Sequence, residues 1–296
     1  MAQPLVTIGI SYYNPGRFLR FAIQSVFAQS LQDWQLVLVN DGSTDDSPAF
    51  VRSISDSRVL SVDDGCNRGL PARLNQIAVM AESPFLARMD ADDMMHPMRL
   101  ARQLTFLQEN QNVDVVGSYA YSIDADNRPI GLRGADPMPC SPYDVLSGRR
   151  LIHPSVMAAT RWFRSNAYST LYPRAEDVEL WTRTVNSSTF RCIPECLLFY
   201  REVGVPQLEK YIATSTQVRT IADSIQSTRL SRAQRSRVIA SRRAKEMAYV
   251  VAHCFGLEER LVRRRAVSLG PTDLQAADAA IDKIMSTAIP ERQVCS

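Results

Sequence analysis

The chain has 296 residues, 45% of them hydrophobic, enough for one large domain or a domain with an appendage around a sizeable core. No run approaches the ~18 apolar residues of a membrane span, and six scattered cysteines form neither a disulfide framework nor a zinc site; Cys192 and Cys196 stand close in "CIPEC" without a second pair. The net charge of +3 hides an asymmetry: residues 229–265 hold eleven Lys/Arg against three acids, a balance of +8 that leaves the rest at −5.

The first 120 residues alternate strand and helix patterns. "LVTIGISYY" (5–13) and "WQLVLVN" (34–40) are short apolar runs suited to strands buried on both faces. Between them Phe18, Ala22, Ile23, Val26 and Phe27 recur at helical spacing, so the stretch predicts a βαβ crossover and a parallel sheet. The pattern repeats with a short helix at Phe50, Val51 and Ile54, a strand "RVLSV" (58–62), and a helix from Pro71 with Leu74, Ile77, Ala78 and Ala81 inward. A strand "PFLARM" follows, then three aspartates, then a helix from Pro97 with Leu100, Leu104 and Leu107 inward. The aspartates therefore fall at the carboxyl end of a parallel strand, where open α/β sheets bind ligands.

From residue 113 the strands "VDVVGSYAYSI", "SVMAAT" and "TFRCIPECLLFYR" come without regular helices, apart from a helical pattern at 176–186, and predict a mixed second half of the sheet. Beyond about residue 204 the chain turns helical, Ala/Arg-rich and Gly-poor. The expected division is 1–204 as the main domain and 205–296 as a basic α-helical extension. Such a tail suits an anionic partner or a solvated helix face.

Three stretches can carry chemistry. "VLVNDGSTDDS" places Asn40 and Asp41 at a strand end, where an acid can accept hydrogen bonds from a base or ribose; a plain loop with Ser43 or Thr44 as helix cap is the structural alternative. The first strand leads into "SYYNPGRF", with no G-x-G-x-x-G turn to cradle a pyrophosphate. In "ARMDADDMMHP" (87–97), Asp90, Asp92 and Asp93 repel one another unless a cation is shared. Mg²⁺ or Mn²⁺, bound by one or two carboxylates and a ligand's phosphates, removes the conflict, with Arg68, Arg73 and His153 as candidates for further phosphate charge. In "PRAEDVELWTR", Glu176 and Asp177 open a helix whose inner face includes Val178, Trp181 and Val185. Acids there suit the helix dipole, or serve as a general base toward an attacking hydroxyl.

Taken in order, "VTIGISYYN", "QLVLVNDGSTDDS", "NRGLPARLNQ", "ARMDADDMMHPMRL", "IHPSVM" and "AEDVELWTR" resemble the family-2 glycosyltransferases of GT-A fold, over roughly residues 4–200. The resemblance implies a Rossmann-like, mostly parallel central sheet flanked by helices and an inverting, metal-dependent transfer from a nucleotide sugar. It implies nucleotide contacts at Ser11, Tyr13 and Asp41, with Arg68, Arg73 and Asp90 near the donor. Asp92 would lie nearest the nucleoside, the metal on Asp92 or Asp93, and the base at Asp177. His153, Glu176 and Trp181 would border the diphosphate or acceptor. The sequence departs at Asn40, where the family often has Asp.

An ionised Asp41 only accepts hydrogen bonds, and uracil, thymine and guanine offer a ring N–H where neutral cytosine and adenine do not, so a UDP-, dTDP- or GDP-sugar is expected, UDP first by resemblance. The rivals are a haloacid-dehalogenase-like phosphatase, where Met94 takes the place of a Thr/Val, and a non-catalytic nucleotide- or membrane-binding protein. The tail's arginines lack interleaved aromatics, so no nucleic acid is expected and an anionic membrane surface fits better. "MAQPLVTIGISYY" lacks a basic leader and apolar core, so a cytoplasmic protein, peripheral at the inner face of the membrane, is expected, with a saccharide or lipid-linked saccharide acceptor in surface-polysaccharide synthesis.

Overall fold

The computed structural model describes residues 3–134, 138–202, 204, 207–226, 228–257 and 267–292. Strands β1 (Val6–Tyr12), β2 (Trp34–Asn40), β3 (Val59–Asp63) and β4 (Phe85–Asp90) are all parallel, in the order β3-β2-β1-β4. They are linked by helices α1 (Phe18–Phe27), α2 (Ser47–Ser53) and α3 (Leu70–Met80). This is the crossover pattern read from the sequence.

Both faces of β1, β2 and β4 are covered, which is why they read as largely apolar runs, whereas edge strand β3 is partly exposed. On β2, Leu36 and Leu38 join the core under α1, while Val37 and Val39 join the core under α3. Gly9 of β1 is required by the second face: a Cβ there would stand 2.3 Å from Ile77 Cγ2 of α3.

The second half is mixed, as its irregular spacing predicts. After β5 (Met94–Met95) and α4 (Arg99–Glu109) come β6 (Val115–Ile123), β7 (Pro129–Arg133), α5 (Pro142–Ser147), β8 (Met157–Ala159), α6 (Thr160–Ser165), α7 (Glu176–Thr184) and β9 (Phe190–Arg201). β8 runs antiparallel to both β4 and β6, and β6 is parallel to β9. Pro194 and Glu195 are skipped in the β6–β9 register, where Ser118 faces Ile193 and Tyr119 faces Cys196; a proline has no N–H for the ladder and is accommodated in such a bulge. The expected aspartate loop gains an unpredicted strand, because Met94 and Met95 pair antiparallel with Phe199 and Leu198. β7, α5 and α6 also went unread, being too short for a period to emerge. The five cysteines among the described residues are free thiols.

Helices α8 (Leu208–Ser224), α9 (Arg232–Cys254) and α10 (Pro271–Met285) follow. They share cores with the sheet rather than hanging from it. Val218, Ile221 and Ala222 of α8 and Val238 of α9 pack in the cluster that holds Val178 and Trp181 of α7. Ala277, Ile281 and Ile284 of α10 meet Met94, Tyr121, Ile123 and Phe199. The segment beyond α10 is tied to α2 and α1 by Ser55 N–H to the Pro290 carbonyl (2.7 Å), Arg292 N–H to the Ser53 carbonyl (2.8 Å) and an Arg20–Glu291 ion pair at 2.6 Å.

Since α10 buries its apolar face on the sheet edge beside the aspartate loop, Ile284→Ala is expected to lower unfolding stability by about 2–4 kcal/mol. Urea denaturation should show one cooperative transition shifted to lower urea; a separate early transition with the main one unmoved would contradict this packing.

Candidate active site

The carboxyl ends of β1, β2 and β4 meet at one edge. Ser11 lies in register with Asp90, and Tyr12 with Asn40. Asn40 is buried and its Oδ1 accepts from the Ser43 N–H at 2.8 Å, so this side chain closes the turn after β2. Ser43 and Thr44 do not cap the next helix, whose N-cap is Asp46.

Asp41 is held from below. Its carboxylate accepts from the backbone N–H of Arg68 (2.7 Å) and of Gly69 (3.1 Å) and from Arg73 Nε (2.9 Å). Gly69 reaches that carboxylate with φ +83°, a conformation that favours glycine, and it also opens α3. Arg73 has no exposed surface. Its remaining N–H groups go to Asp64 (2.6 and 3.0 Å), Gln76 (2.8 Å) and the Cys66 carbonyl. Its expected place at the diphosphate is therefore corrected: all its donors are spent locking the loop beneath Asp41. Arg73 in turn holds the Asp64 carboxyl well below the usual range. The Arg68 side chain is exposed and pairs with Asp64 at 2.9 Å. Tyr13 is exposed and Ser11 half-buried beside the strand ends.

Asp90, Asp92 and Asp93 bring carboxylate oxygens within 4.8 Å of one another. Asp90 is gripped by both Nη atoms of buried Arg88, at 2.6 and 2.9 Å. Asp92 reaches solvent, yet the desolvating protein packed around it and the charge of Asp90 push its carboxyl up to about 6. Burial and the charge of Asp92 push buried Asp93 well above the usual range. Asp93 Oδ1 accepts from the Arg201 N–H at 2.8 Å, while Oδ2 is buried without a hydrogen-bond partner among the described residues. A set of hard oxygen donors with one buried oxygen left over fits a divalent ion such as Mg²⁺ or Mn²⁺.

Arg201 shapes this loop from the end of β9. Its side chain donates to the carbonyls of Asp92 and Asp124 and to Asn127 Oδ1, each at 2.6 Å, and lies over the Phe18 ring. No local pattern reveals it, since its partners are 74 to 109 residues away. Arg88 was legible in principle: two positions before Asp90 on one strand, it must share Asp90's face.

A cavity of about 550 Å³ joins the aspartate strand end to the start of α7; Arg88, Asp90, Arg150, His153, Glu176 and Asp177 line it. Asp177 is partly exposed there, with Arg150 Nε 3.8 Å from its Oδ2, at a helix N-terminus that favours the anion. Glu176 is buried, 3.7 Å from His153 Nδ1; burial and the charge of Asp177 push it up to about 8, so it carries a proton at neutral pH. His153 is corrected as a source of phosphate charge. Burial, then the charges of Arg88 and Arg150, hold its ring neutral, and its Nε2 lies 2.8 Å from the Tyr168 hydroxyl. Trp181 is corrected as an acceptor wall: it is buried behind His153, packed on Trp162 and Phe190.

This sheet, with Asp90 of its acidic cluster and the Glu176–Asp177 pair on one cavity, has the architecture of the GT-A glycosyltransferase fold. The chain belongs to glycosyl transferase family 2, whose family description matches residues 7–172. It is similar to the glycosyltransferase-like protein EpsE of Bacillus subtilis, 31% identical over 61% of this chain and 66% of EpsE. It is also similar to a Methanocaldococcus jannaschii glycosyltransferase, MJ1057, 27% identical over 72% of this chain and 75% of that one. Among solved structures, S. aureus TarS 1–349 with UDP-GlcNAc matches with TM-score 0.59 and 14% identity over 97% of this chain and 82% of that one. Mannosyltransferase PcManGT from Pyrobaculum calidifontis, in complex with GDP-Man and Mn²⁺, matches with TM-score 0.56 and 16% identity over 97% and 88%.

The raised Glu176 has a consequence with a definite sign. Unfolded, it loses its proton near pH 4; folded, it keeps it to about 8, so its contribution to stability is full below pH 4 and lost as pH rises through 8. The thermal midpoint should therefore fall from pH 6.5 to pH 8, and Glu176→Gln should flatten that slope. A midpoint that rises over this window in the native chain would contradict the buried, protonated Glu176.

Proposed function

We propose that the chain transfers a sugar from a nucleoside diphosphate sugar, a UDP-sugar first, to an acceptor hydroxyl with inversion at the anomeric carbon. The observation that carries this is the single cavity shared by Asp90 and Asp177. It supports a donor diphosphate at the strand ends and an acceptor at the α7 end, on opposite sides of one reacting carbon.

Asp41, locked by two backbone amides and Arg73, keeps acceptor capacity on Oδ2 for a ring N–H of the base. UDP-GlcNAc and GDP-Man, the ligands of the two solved relatives, both carry such an N–H, in support of that reading. Ser11 and Tyr13 border the nucleoside. Asp90, Asp92 and Asp93 would hold the divalent ion, which when bound supplies Lewis-acid stabilisation of charge on the leaving diphosphate. Arg88 fixes Asp90 in place, and Arg201 fixes the loop backbone.

Asp177 takes the proton of the acceptor hydroxyl. The acceptor oxygen bonds to the anomeric carbon as the bond to the diphosphate oxygen breaks, the electron pair leaving with the diphosphate. Glu176 is protonated and does not compete as base; Arg150 orients Asp177. A lipid-linked saccharide of a bacterial surface-polysaccharide pathway is the acceptor class proposed.

Asp177→Asn should retain nucleotide and Mn²⁺ binding while turnover falls by roughly 10²–10⁴. Asp93→Ala should lose Mn²⁺-dependent nucleotide binding. Hydrolysis or transfer assays with UDP-sugars, paired with calorimetric titration, read both; full turnover in Asp177→Asn would remove the base assignment.

A further inference from the structure

Helix α9 carries a surface that the transfer chemistry does not use. Its inner side is anchored by Val238, Tyr249 and Ala252 in the core and by Arg242, which donates to the Leu146 carbonyl at 3.0 Å. On the other side Met247, Val251 and Phe255 stand four residues apart and are 65%, 48% and 74% exposed. At 3.6 residues per turn they fall on one stripe, filled in by exposed Ala240, Ala244 and Cys254. Arg243 and Arg237, both exposed, fall at its two edges. The whole arc is about 120° wide.

We propose that this face of α9 docks on an anionic phospholipid bilayer. Exposed apolar side chains on one helical stripe between arginines are the pattern of a helix lying in the headgroup plane. The charge is complementary, because residues 229–265 carry +8 while the remainder carries −5. Among the described residues no helix is long and apolar enough to cross a membrane, so the contact is interfacial. A second copy of the chain is a poorer occupant: a two-fold contact would set each arginine-edged stripe against its own like charges. The position also suits the cavity. Leu146 leads directly into Gly148 and Arg150 of the cavity wall, so α9 lies beside that rim, and its outer face is about one helix diameter, ~10 Å, farther out.

The test is cosedimentation of the full chain with phosphatidylcholine vesicles, with and without phosphatidylglycerol. The chain should pellet only when phosphatidylglycerol is present. Arg237→Gln with Arg243→Gln should lower the partition coefficient roughly 30-fold, and Val251→Ser with Phe255→Ser at least about tenfold. Thermal midpoints and nucleotide binding should be unchanged in both variants, which are confined to exposed positions; no donor enters the assay, so its outcome is separate from that of the transfer reaction. No phosphatidylglycerol-dependent pelleting would overturn the proposal. So would undiminished pelleting of both variants, or a lipid-free dimer by light scattering that Phe255→Ser dissociates.

Discussion

Mutual repulsion among three carboxylates at the end of β4 is the constraint around which the site is arranged. Asp90, Asp92 and Asp93 cannot all ionise cheaply within 4.8 Å of one another, partly shielded from water. The protein neutralises only one of them itself, through the two-point grip of Arg88 on Asp90. Arg201 sits near the other two and spends its side-chain donors on carbonyls and an amide, so it fixes the loop while its charge only partly offsets theirs. Asp92 and Asp93 keep their carboxyls raised above the usual range, the state a shared divalent ion would relieve on the proposed reading.

The end of β2 is built differently. Asp41 receives two backbone amides and a buried guanidinium. Such a carboxylate is rigid and already desolvated, so the base edge proposed to bind there would meet it at little further ordering cost. Across the cavity buried Glu176, its carboxyl pushed up by burial and the charge of Asp177, stands next to partly exposed Asp177, so two adjacent acids have different surroundings.

Strands β1, β2 and β4 were legible because cover on both faces leaves largely apolar runs, and because turns such as "NDGS" and "DADD" punctuate them. The short β5 and β7 were not, since their pairing is decided by partners far along the chain. Asp41, Asp90, Asp92, Asp93 and Asp177 could be picked out because an acid at a strand end or helix start has a chemical reading. Arg73 and Trp181 were misread for a common reason. A charged or aromatic residue on an amphipathic segment looks like a site wall, and only packing reveals that it is turned inward. Arg201 had no local sign at all.

The most direct test of the central claim is thermal unfolding against UDP, dTDP, GDP, CDP and ADP, each with and without Mn²⁺. A ligand at ~100 times its dissociation constant adds about 2.7 kcal/mol, a rise of a few degrees in a chain of this size. The account predicts a manganese-dependent rise with UDP, dTDP or GDP and none with CDP or ADP. A rise that is equal without the metal, or no rise with any nucleotide, would contradict it.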